Sequence, residues 1–219
     1  KTYHFMVKSQ DKAGNIATST DATFVTLADI VPPAITVTAP INNAVVRSTV
    51  TVVASATDNA GVAGIRFQLD GADLAPEKIN TGSTLSFAAS IYWNTTAMTN
   101  GVHTLTAIVR DIDGNLTTSN PVTITVDNTL PVLSTITVIP SYGTSTISWL
   151  TDEPATTQII YGTTTSYGLA TALVSTLTTN HSQTLINLLP SKTYHFMVKS
   201  QDKAGNIATS SSSFQTLEP

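Results

Sequence analysis

Three turns in this chain place carboxylates a few residues before a glycine. Two share the same five residues, Asp11-Lys12-Ala13-Gly14-Asn15 and Asp202-Lys203-Ala204-Gly205-Asn206, and the third is Asp111-Ile112-Asp113-Gly114-Asn115. Carboxylates before a glycine are part of many Ca²⁺-binding loops, because Ca²⁺ prefers oxygen ligands. The same residues suit a hairpin turn, since Gly and Asn tolerate a positive φ and Asp bonds its own backbone. Both interpretations stay open, but an EF-hand is excluded, because its further ligands and flanking helices are missing.

The four histidines give no metal site of their own. His4 and His195 occupy the same position of a repeated segment, on the side of a strand that is predicted to face solvent. No histidine pairs with another histidine or with a glutamate at the spacing of a zinc site. Serine and threonine are abundant, but no nucleophile elbow and no Ser-His-Asp set can be assembled from them. The chain is therefore predicted to be noncatalytic.

Composition excludes several other classes of function. The 219 residues include 10 Lys+Arg and 14 Asp+Glu, so there is no basic stripe that could bind nucleic acid. No apolar run approaches the ~18 residues of a membrane span, so no membrane insertion is expected. Cysteine is absent, which removes disulfides, thiolate metal sites and cysteine nucleophiles. Hydrophobic residues make up 41% of the chain, which is enough to build a core.

An internal repeat sets the domain organisation. The segment Lys1–Ser19 recurs without a change at Lys192–Ser210, and a looser likeness continues to Leu217. A repeat of this length indicates a tandem array. Two linkers that end in proline, Asp29–Pro33 and Asp127–Pro131, divide the rest, because proline restrains itself and its predecessor to extended backbone. The predicted parts are the last two strands of a domain like the final one, belonging to a preceding repeat (1–28), one domain at 29–128 and one at 129–219.

Alternation of apolar and polar residues is the dominant pattern. In Val122–Val126 the apolar residues point to one face and threonines to the other, which is typical of a half-buried antiparallel strand. Threonine suits the wet face because its stiff side chain fits a pleated surface, so its abundance is explained without a function. The fold class is therefore predicted as all-β, with tandem antiparallel β-sandwiches. Strands are expected near 34–39, 49–57, 62–70, 85–93, 102–110, 116–126, 132–139, 144–150, 156–161, 182–188, 193–200 and 206–216.

Residues 131–219 resemble a bacterial fibronectin type III domain. The resemblance rests on Ile147-Ser148-Trp149, Thr151-Asp152-Glu153-Pro154, Ile160-Tyr161-Gly162 and Leu188-Leu189-Pro190-Ser191-Lys192-Thr193-Tyr194. It implies that Trp149 fills the core. It also implies a tyrosine corner, in which the hydroxyl of Tyr194 bonds the backbone a few residues upstream.

Residues 33–127 are similar to the bacterial Ig-like modules of secreted proteins. The residues that carry the likeness are Ala56-Thr57-Asp58, Tyr92-Trp93-Asn94-Thr95, Gly101-Val102-His103 and Arg110-Asp111-Ile112-Asp113-Gly114-Asn115. The likeness implies that Trp93 belongs to the core. Tyr92 and Trp93 could alternatively form a platform on which sugars stack.

The Ig-type topology strengthens the calcium interpretation. In such a sandwich the second-to-third loop and the last hairpin lie at the end where the chain arrives, so Asp58, Asp111 and Asp113 are expected near the linker residue Asp29. Carboxylates gathered in one place repel each other unless a cation binds. The sequence thus predicts a Ca²⁺ site at Asp29, Asp58, Asp111 and Asp113, and requires no other cofactor. The competing interpretation is that each aspartate only caps its own turn.

The last domain has an equivalent set of acidic residues. These are Asp127, Asp152, Glu153 and Asp202. Its final turn lacks a second aspartate, so this site is expected to bind Ca²⁺ more weakly.

The leading functional hypothesis is a noncatalytic structural repeat of a stalk, fibre or adhesin, extracellular or on the surface of a bacterial or archaeal cell. Its partners would be neighbouring repeats of the same chain or identical chains. Two alternatives remain: an accessory module that binds glycans or cell-surface ligands through loops around Trp93 or residues 72–84, and a spacer appended to a secreted enzyme. Sandwiches of this kind serve all three roles.

Overall fold

The computed structural model describes residues 1–218. Nearly all regular structure in this range is β-strand, and its one helical element is a 3₁₀ turn at Thr95–Ala97. The prediction of an all-β fold is therefore confirmed. No helix formed by the described residues is long and apolar enough to cross a membrane.

Residues 1–28, which we call the N-terminal hairpin, form two short antiparallel ladders. The strands are β1 (Thr2–Phe5), β2 (Lys8–Gln10), β3 (Ile16–Thr18) and β4 (Ala22–Val25). β1 pairs with β4 and β2 pairs with β3, so the segment is one hairpin with an interruption at Met6 and Val7. Almost every residue is exposed, so the hairpin has no core of its own.

The first sandwich, residues 34–126, has two sheets that face each other. Its strands are β5 (Ala34–Ala39), β6 (Ala44–Val46), β7 (Thr49–Thr57), β8 (Val62–Leu69), β9 (Ala72–Asp73), β10 (Lys78–Ile79), β11 (Ser86–Asn94), β12 (Gly101–Asp111), β13 (Leu116–Thr118) and β14 (Val122–Val126). One sheet has the order β11-β7-β5. The other has the order β10-β8-β12-β14-β6, with β9 beside β8 and β13 beside β12.

Inward-facing residues of both sheets form the core of the first sandwich. Val52 from one sheet meets Ile65, Phe67 and Leu105 from the other, and all four are buried. This is the apolar face that the alternating pattern predicts. One pair departs from the antiparallel arrangement, because β6 runs parallel to β14.

The second sandwich, residues 133–215, is organised around one long strand. Its strands are β15 (Leu133–Pro140), β16 (Ser145–Gly162), β17 (Leu169–Ala170), β18 (Val174–Leu185), β19 (Thr193–Gln201) and β20 (Ile207–Gln215). The first half of β16 pairs with β15 and β18, and its last residues pair with β17 and β19. β16 thus passes from one sheet to the other, and the register shifts between Leu150 and Ala155.

The two aromatic residues that the fibronectin resemblance placed in the core are buried. Trp149 is 1% exposed, and its indole N–H donates to Ser200 Oγ at 3.0 Å. Tyr194 is 5% exposed, and its hydroxyl accepts a hydrogen bond from the backbone N–H of Leu189 at 3.0 Å. Both predictions, core packing and the tyrosine corner, are confirmed.

Four predicted strands differ from the structure. The strand predicted at 116–126 is split into β13 and β14, because Pro121 has no N–H to donate to a ladder. The strands predicted at 144–150 and 156–161 are halves of the continuous β16. The strand predicted at 182–188 is β18, which begins at Val174, because its first residues are nearly all exposed and show no alternation.

Candidate metal sites at the domain junctions

Three of the four aspartates predicted to bind calcium converge where the chain enters the first sandwich. Asp29 lies in the linker before β5, Asp58 follows β7 directly, and Asp111 is the last residue of β12. One carboxylate oxygen of each lies within 4.8 Å of the other two. Asp111 is fully buried, and the other two are half-buried. The antiparallel order of the strands brings these three loop ends to the same edge.

Asp111 is held ionised by its own turn. Its Oδ1 accepts hydrogen bonds from the backbone N–H groups of Asp113, Gly114 and Asn115 at 3.0, 2.6 and 2.7 Å. Burial acts to raise the pKa of Asp111, but these bonds and the side-chain amide of Asn115 together hold the pKa below its ordinary value. The carboxylate therefore stays charged in a buried position.

The fourth predicted ligand, Asp113, does not join the cluster. Its Oδ2 accepts a hydrogen bond from the backbone N–H of Asp29 at 3.2 Å. Asn115 holds the same linker residue from the other side, because its Nδ2 donates to the backbone carbonyl of Asp29 at 2.9 Å and to Asp111 Oδ2 at 2.6 Å. Asp113 and Asn115 thus fix the linker while the three carboxylates face one another.

Asp58 is the least satisfied member of the cluster. Its Oδ2 accepts from the backbone N–H groups of Ala60 and Gly61, both at 2.8 Å. Its Oδ1 is buried and has no hydrogen-bond partner among the described residues. The next residue, Asn59, donates from its Nδ2 to Asp29 Oδ2 at 3.0 Å.

The same arrangement recurs where the chain enters the second sandwich. One carboxylate oxygen each from Asp127, Glu153 and Asp202 lies within 4.8 Å of the others. Asp202 is 5% exposed, and its Oδ1 accepts from the backbone N–H groups of Gly205 and Asn206 at 2.7 and 2.8 Å. Asn206 Nδ2 donates to Asp202 Oδ2 at 2.6 Å and to the backbone carbonyl of Asp127 at 3.0 Å. Asn206 therefore repeats the role of Asn115.

Glu153 experiences repulsion inside this second cluster. Burial raises the pKa of Glu153, and the neighbouring charges of Asp127, Asp202 and Asp152 raise it further. Asp152 itself lies outside the cluster. Its Oδ1 accepts from the backbone N–H of Val132 at 2.7 Å and so holds the end of the linker.

The linker between the two sandwiches is also bound by the first sandwich. Asn128 is the central residue: its Oδ1 accepts from Ser48 N at 3.2 Å and from Thr95 Oγ1 at 3.1 Å, and its Nδ2 donates to the carbonyl of Thr95 at 3.0 Å. The backbone N–H of Asp127 donates to the carbonyl of Val46 at 2.9 Å. The linker is thus hydrogen-bonded to both of its neighbours.

The two asparagines that hold the linkers, Asn115 and Asn206, were predicted from the sequence only as turn residues. The signal was the spacing Asp-x-x-Gly-Asn, which all three turns share, with the glycine at φ +90° (Gly14), +100° (Gly114) and +96° (Gly205). A glycine in this region lets the turn fold back so that the asparagine reaches the aspartate.

Other residues singled out by their chemistry have structural positions. Trp93 is 4% exposed and belongs to the core of the first sandwich, so it offers no surface on which a sugar could stack, whereas Tyr92 on the opposite face is exposed. His4 is exposed as predicted, and His195 is half-buried. His181 is buried against Trp149, with ring centroids 5.1 Å apart.

Residues 33–107 match the family model of the bacterial Ig domain. The first sandwich is similar to bacterial Ig domains. The match extends over about a third of the chain and includes Asp58 but neither Asp111 nor Asp113. No curated protein sequence is significantly similar to the chain.

Several solved structures are also similar to the chain. The fibronectin(III)-like modules of Clostridium thermocellum CbhA align with a TM-score of 0.52 and 12% identity, over 84% of this chain and 94% of that one. The FN1–FN3 domains of chicken CNTN1 align with a TM-score of 0.45 and 15% identity, over 98% of this chain and 78% of that one. A tetra-tandem repeat from the extending region of a large adhesion protein aligns with a TM-score of 0.39 and 19% identity, over 98% of this chain and 56% of that one. The alignment with the CbhA modules shows the fold, which combines Ig-like and fibronectin type III-like sandwiches in one chain.

Proposed function

We propose that this chain is a noncatalytic structural unit of an extracellular stalk, fibre or adhesin, in which the linkers fix each sandwich relative to the next. The observation that carries the proposal is the doubly bound linker at Asp127–Thr129. Its first half is bonded to the first sandwich through Asn128, and its backbone carbonyl at Asp127 is bonded to the second sandwich through Asn206. A linker bonded on both sides resists bending, whereas a free linker of this length leaves two domains to reorient.

The repetition of this junction supports the same function. Two sandwiches of different type present the same aspartate–asparagine turn to the linker that precedes them. The N-terminal hairpin carries the turn again, with Asn15 Nδ2 donating to Asp11 Oδ2 at 2.8 Å. A turn that recurs in every unit of an array is expected to hold successive domains together rather than to take part in the chemistry of one domain. Ig-like and fibronectin type III-like domains are generally noncatalytic.

Calcium is the second part of the proposal. Each cluster supplies three carboxylates from three separate segments, one of them the linker. Ca²⁺ takes six to eight oxygen ligands, and carboxylates are the commonest of them. Binding would offset the repulsion that raises the pKa of Glu153, and it would give the unpartnered Oδ1 of Asp58 a ligand role. A bound Ca²⁺ would also connect the linker carboxylate with two carboxylates of the sandwich, in addition to the hydrogen bonds from the asparagine.

Calorimetric titration with Ca²⁺ tests the metal part, and small-angle X-ray scattering tests the rod. We expect heat of binding, a higher Tm with Ca²⁺ than with chelator, and a maximum dimension that matches two sandwiches in fixed succession. Asp58→Asn should remove binding at the first junction, and Glu153→Gln should remove it at the second. Asp113→Asn and Asp152→Asn are the matched controls, because each removes one charge beside a cluster without belonging to it.

The two parts of the proposal can fail separately. An absence of both binding heat and Tm change would disprove the calcium sites, and the hydrogen-bonded linkers would remain. Scattering that requires an ensemble of bent shapes in Ca²⁺ would disprove the rod.

A further inference from the structure

The N-terminal hairpin has the sequence and the strand register of the hairpin that closes the second sandwich. Lys1–Ser19 and Lys192–Ser210 are identical. Tyr3 lies opposite Phe24, as Tyr194 lies opposite Phe214. The two segments are therefore copies in structure as well as in sequence.

The aromatic rings of the N-terminal hairpin already have the arrangement of the buried copy. Tyr3 stacks on Phe24 with a centroid distance of 5.3 Å and an interplanar angle of 16°, and the copy, Tyr194 on Phe214, has 5.9 Å and 19°. Phe5 lies 6.1 Å from Phe24, the same distance as in the copy. The rings therefore have the same arrangement in the N-terminal hairpin as in its copy.

Exposure is what separates the two copies. Tyr3 is 42%, Phe5 46% and Phe24 52% exposed, whereas their counterparts Tyr194, Phe196 and Phe214 are 5%, 0% and 8% exposed. In the second sandwich this face is covered by residues that precede the hairpin in sequence. They are Ile147, Trp149, Ile159, Leu185 and Leu188.

The hairpin also has an unpaired strand edge. In the second sandwich, residues 195–199 pair with residues 158–162 of β16. The equivalent residues 4–8 have no such partner among the described residues. An open edge beside an exposed apolar face is the arrangement that accepts strands from another segment.

Two hydroxyl groups of the buried copy bond the residues that cover it, and the N-terminal hairpin has both hydroxyls. The hydroxyl of Tyr194 accepts from the backbone N–H of Leu189, and Ser200 Oγ accepts from the indole N–H of Trp149. Their counterparts are Tyr3 and Ser9, in the exposed hairpin. A partner that fits the hairpin therefore supplies a backbone donor and an indole as well as apolar residues.

One difference between the copies lies away from this face. The N-terminal hairpin has one residue more between Ser19 and Phe24 than its copy has, and the register shifts by one residue there. Val7 N donates to Ser19 Oγ at 3.0 Å beside this bulge. The aromatic pairs keep their geometry, since a bulge absorbs one residue locally.

We propose that the N-terminal hairpin is a docking surface for a half-sandwich of the type formed by residues 129–191, supplied by a preceding repeat. The hairpin completes that half-sandwich by adding two strands and an aromatic layer. The inference rests on the proposed repeat array, but it depends on neither calcium nor the stiffness of the linkers.

The test extends the full chain by a second copy of residues 129–191, joined directly before Lys1. Hydrogen–deuterium exchange of residues 1–28 is then compared with exchange of residues 192–216 in the same molecule. We expect exchange in the hairpin to slow by about 100-fold or more, toward the rate of its copy, because core amides open only with most of the global unfolding free energy. Phe5→Asp in the extended chain should abolish this protection. Thr2→Asp is the matched control, because its counterpart Thr193 is exposed in the second sandwich.

Each result decides the proposal. Fast exchange in residues 1–28 of the extended chain, with residues 192–216 protected, would overturn it, because the added segment is known to fold around the second copy. Protection in the unextended chain, together with a dimeric mass by light scattering, would show that a second copy covers the face instead. Bending at the linkers, or an absence of Ca²⁺ binding, would in contrast disprove a part of the proposed function. Neither outcome would change the exchange expected for residues 1–28 of the extended chain.

Discussion

Asn206 joins the second sandwich to the linker through a single side-chain amide. Its Nδ2 lies 3.0 Å from the carbonyl oxygen of Asp127 and 2.6 Å from Asp202 Oδ2. One donor group thus connects a buried carboxylate of the last hairpin with the backbone of the preceding segment. Asn115 makes the same pair of contacts, to Asp29 and Asp111.

Replacing Asn206 by alanine should both destabilise and loosen the junction. The variant loses one bond to a charged carboxylate and one to a backbone carbonyl, and it leaves a buried acceptor unpaired, so we expect a loss of roughly 2–4 kcal/mol of unfolding free energy. Chemical denaturation measures the loss, and scattering should show a wider distribution of interdomain angles. Asn15→Ala is the control, because Asn15 makes the same bond to its own aspartate but bonds no linker among the described residues. An unchanged angular distribution in Asn206→Ala would show that the linker is fixed without Asn206.

The sequence predicted which residues lie near the candidate sites, but it did not predict the direction of each side chain. Aspartates before glycine are visible as a pattern, and Ig-type topology brings their loops to one end, so Asp29, Asp58 and Asp111 were found together. Asp113 has the same residue type and an adjacent position, but its carboxylate bonds a backbone N–H instead. Which of two neighbouring aspartates turns inward depends on side-chain direction in the turn, and alternation does not encode that direction.

The fold was predictable where a strand has one buried face. β7 and β12 alternate and were located to within a residue or so, because burial of alternate residues imposes the pattern. β18 was misplaced, since Val174 to Thr179 carry threonine and serine on an edge that buries little. The continuity of β16 through Pro154 was also missed, because a change of sheet within a strand follows from tertiary pairing.

Trp149→Ala should unfold or strongly weaken the second sandwich. The indole is almost fully buried, stacks on His181 and donates to Ser200, so its loss leaves a large cavity and an unpaired hydroxyl. We expect a loss of about 3–5 kcal/mol. Urea denaturation followed by exchange in residues 133–215 measures this loss. Ser200→Ala is a smaller test of the same contact, and it should cost about 1–3 kcal/mol, because the buried indole N–H is left without an acceptor. A Trp149→Ala variant as stable as the parent would contradict the core position of the residue.

The first sandwich should lose stability as the pH rises above 6.5. His103 Nδ1 lies 2.6 Å from Asp70 Oδ2, and Nε2 lies 2.9 Å from the carbonyl of Thr99, so both ring nitrogens face acceptors. The hydrogen bond to Asp70, helped by that to Thr99, raises the pKa of His103 above its ordinary value of 6.5. A raised folded pKa stabilises the protein fully below 6.5, and this contribution is lost as the pH rises through the folded pKa.

The pH dependence that His103 causes should be small, because its partner Asp70 is exposed to solvent. Asp70 is about half exposed, so solvent screens the pair and the change in Tm should be small. Calorimetric scans between pH 5 and pH 9 measure it, with His103→Gln as the variant that should remove the dependence. The prediction is wrong if the Tm of the first sandwich rises over this range, or if His103→Gln shows the same fall.

The second sandwich should show the opposite dependence, because its buried histidine is stabilised in the neutral form. His181 is 3% exposed, with Nε2 at 2.9 Å from Thr151 Oγ1 and Nδ1 at 2.6 Å from Thr157 Oγ1. Thr151 Oγ1 also donates to the carbonyl of Glu153 at 2.7 Å, so it accepts from Nε2 of the ring. Burial lowers the pKa of His181 below 6.5, which favours the neutral ring, and in a neutral ring with its proton on Nε2 the other nitrogen accepts from Thr157 Oγ1.

With a lowered folded pKa, this stabilisation is present above 6.5 and is lost as the pH falls from 6.5 through the folded pKa, because only the unfolded chain takes up the proton readily. Between pH 7.5 and pH 5, the protection factors of residues 133–215, which are corrected for the intrinsic exchange rate, should therefore fall relative to those of residues 34–126, in which His103 gains its proton. His181→Gln keeps a polar side chain that cannot titrate, and it should remove the difference in pH dependence whatever its absolute stability. An equal change of protection in both sandwiches, or an unchanged pH dependence in His181→Gln, would show that His181 does not control the response of the second sandwich to acid.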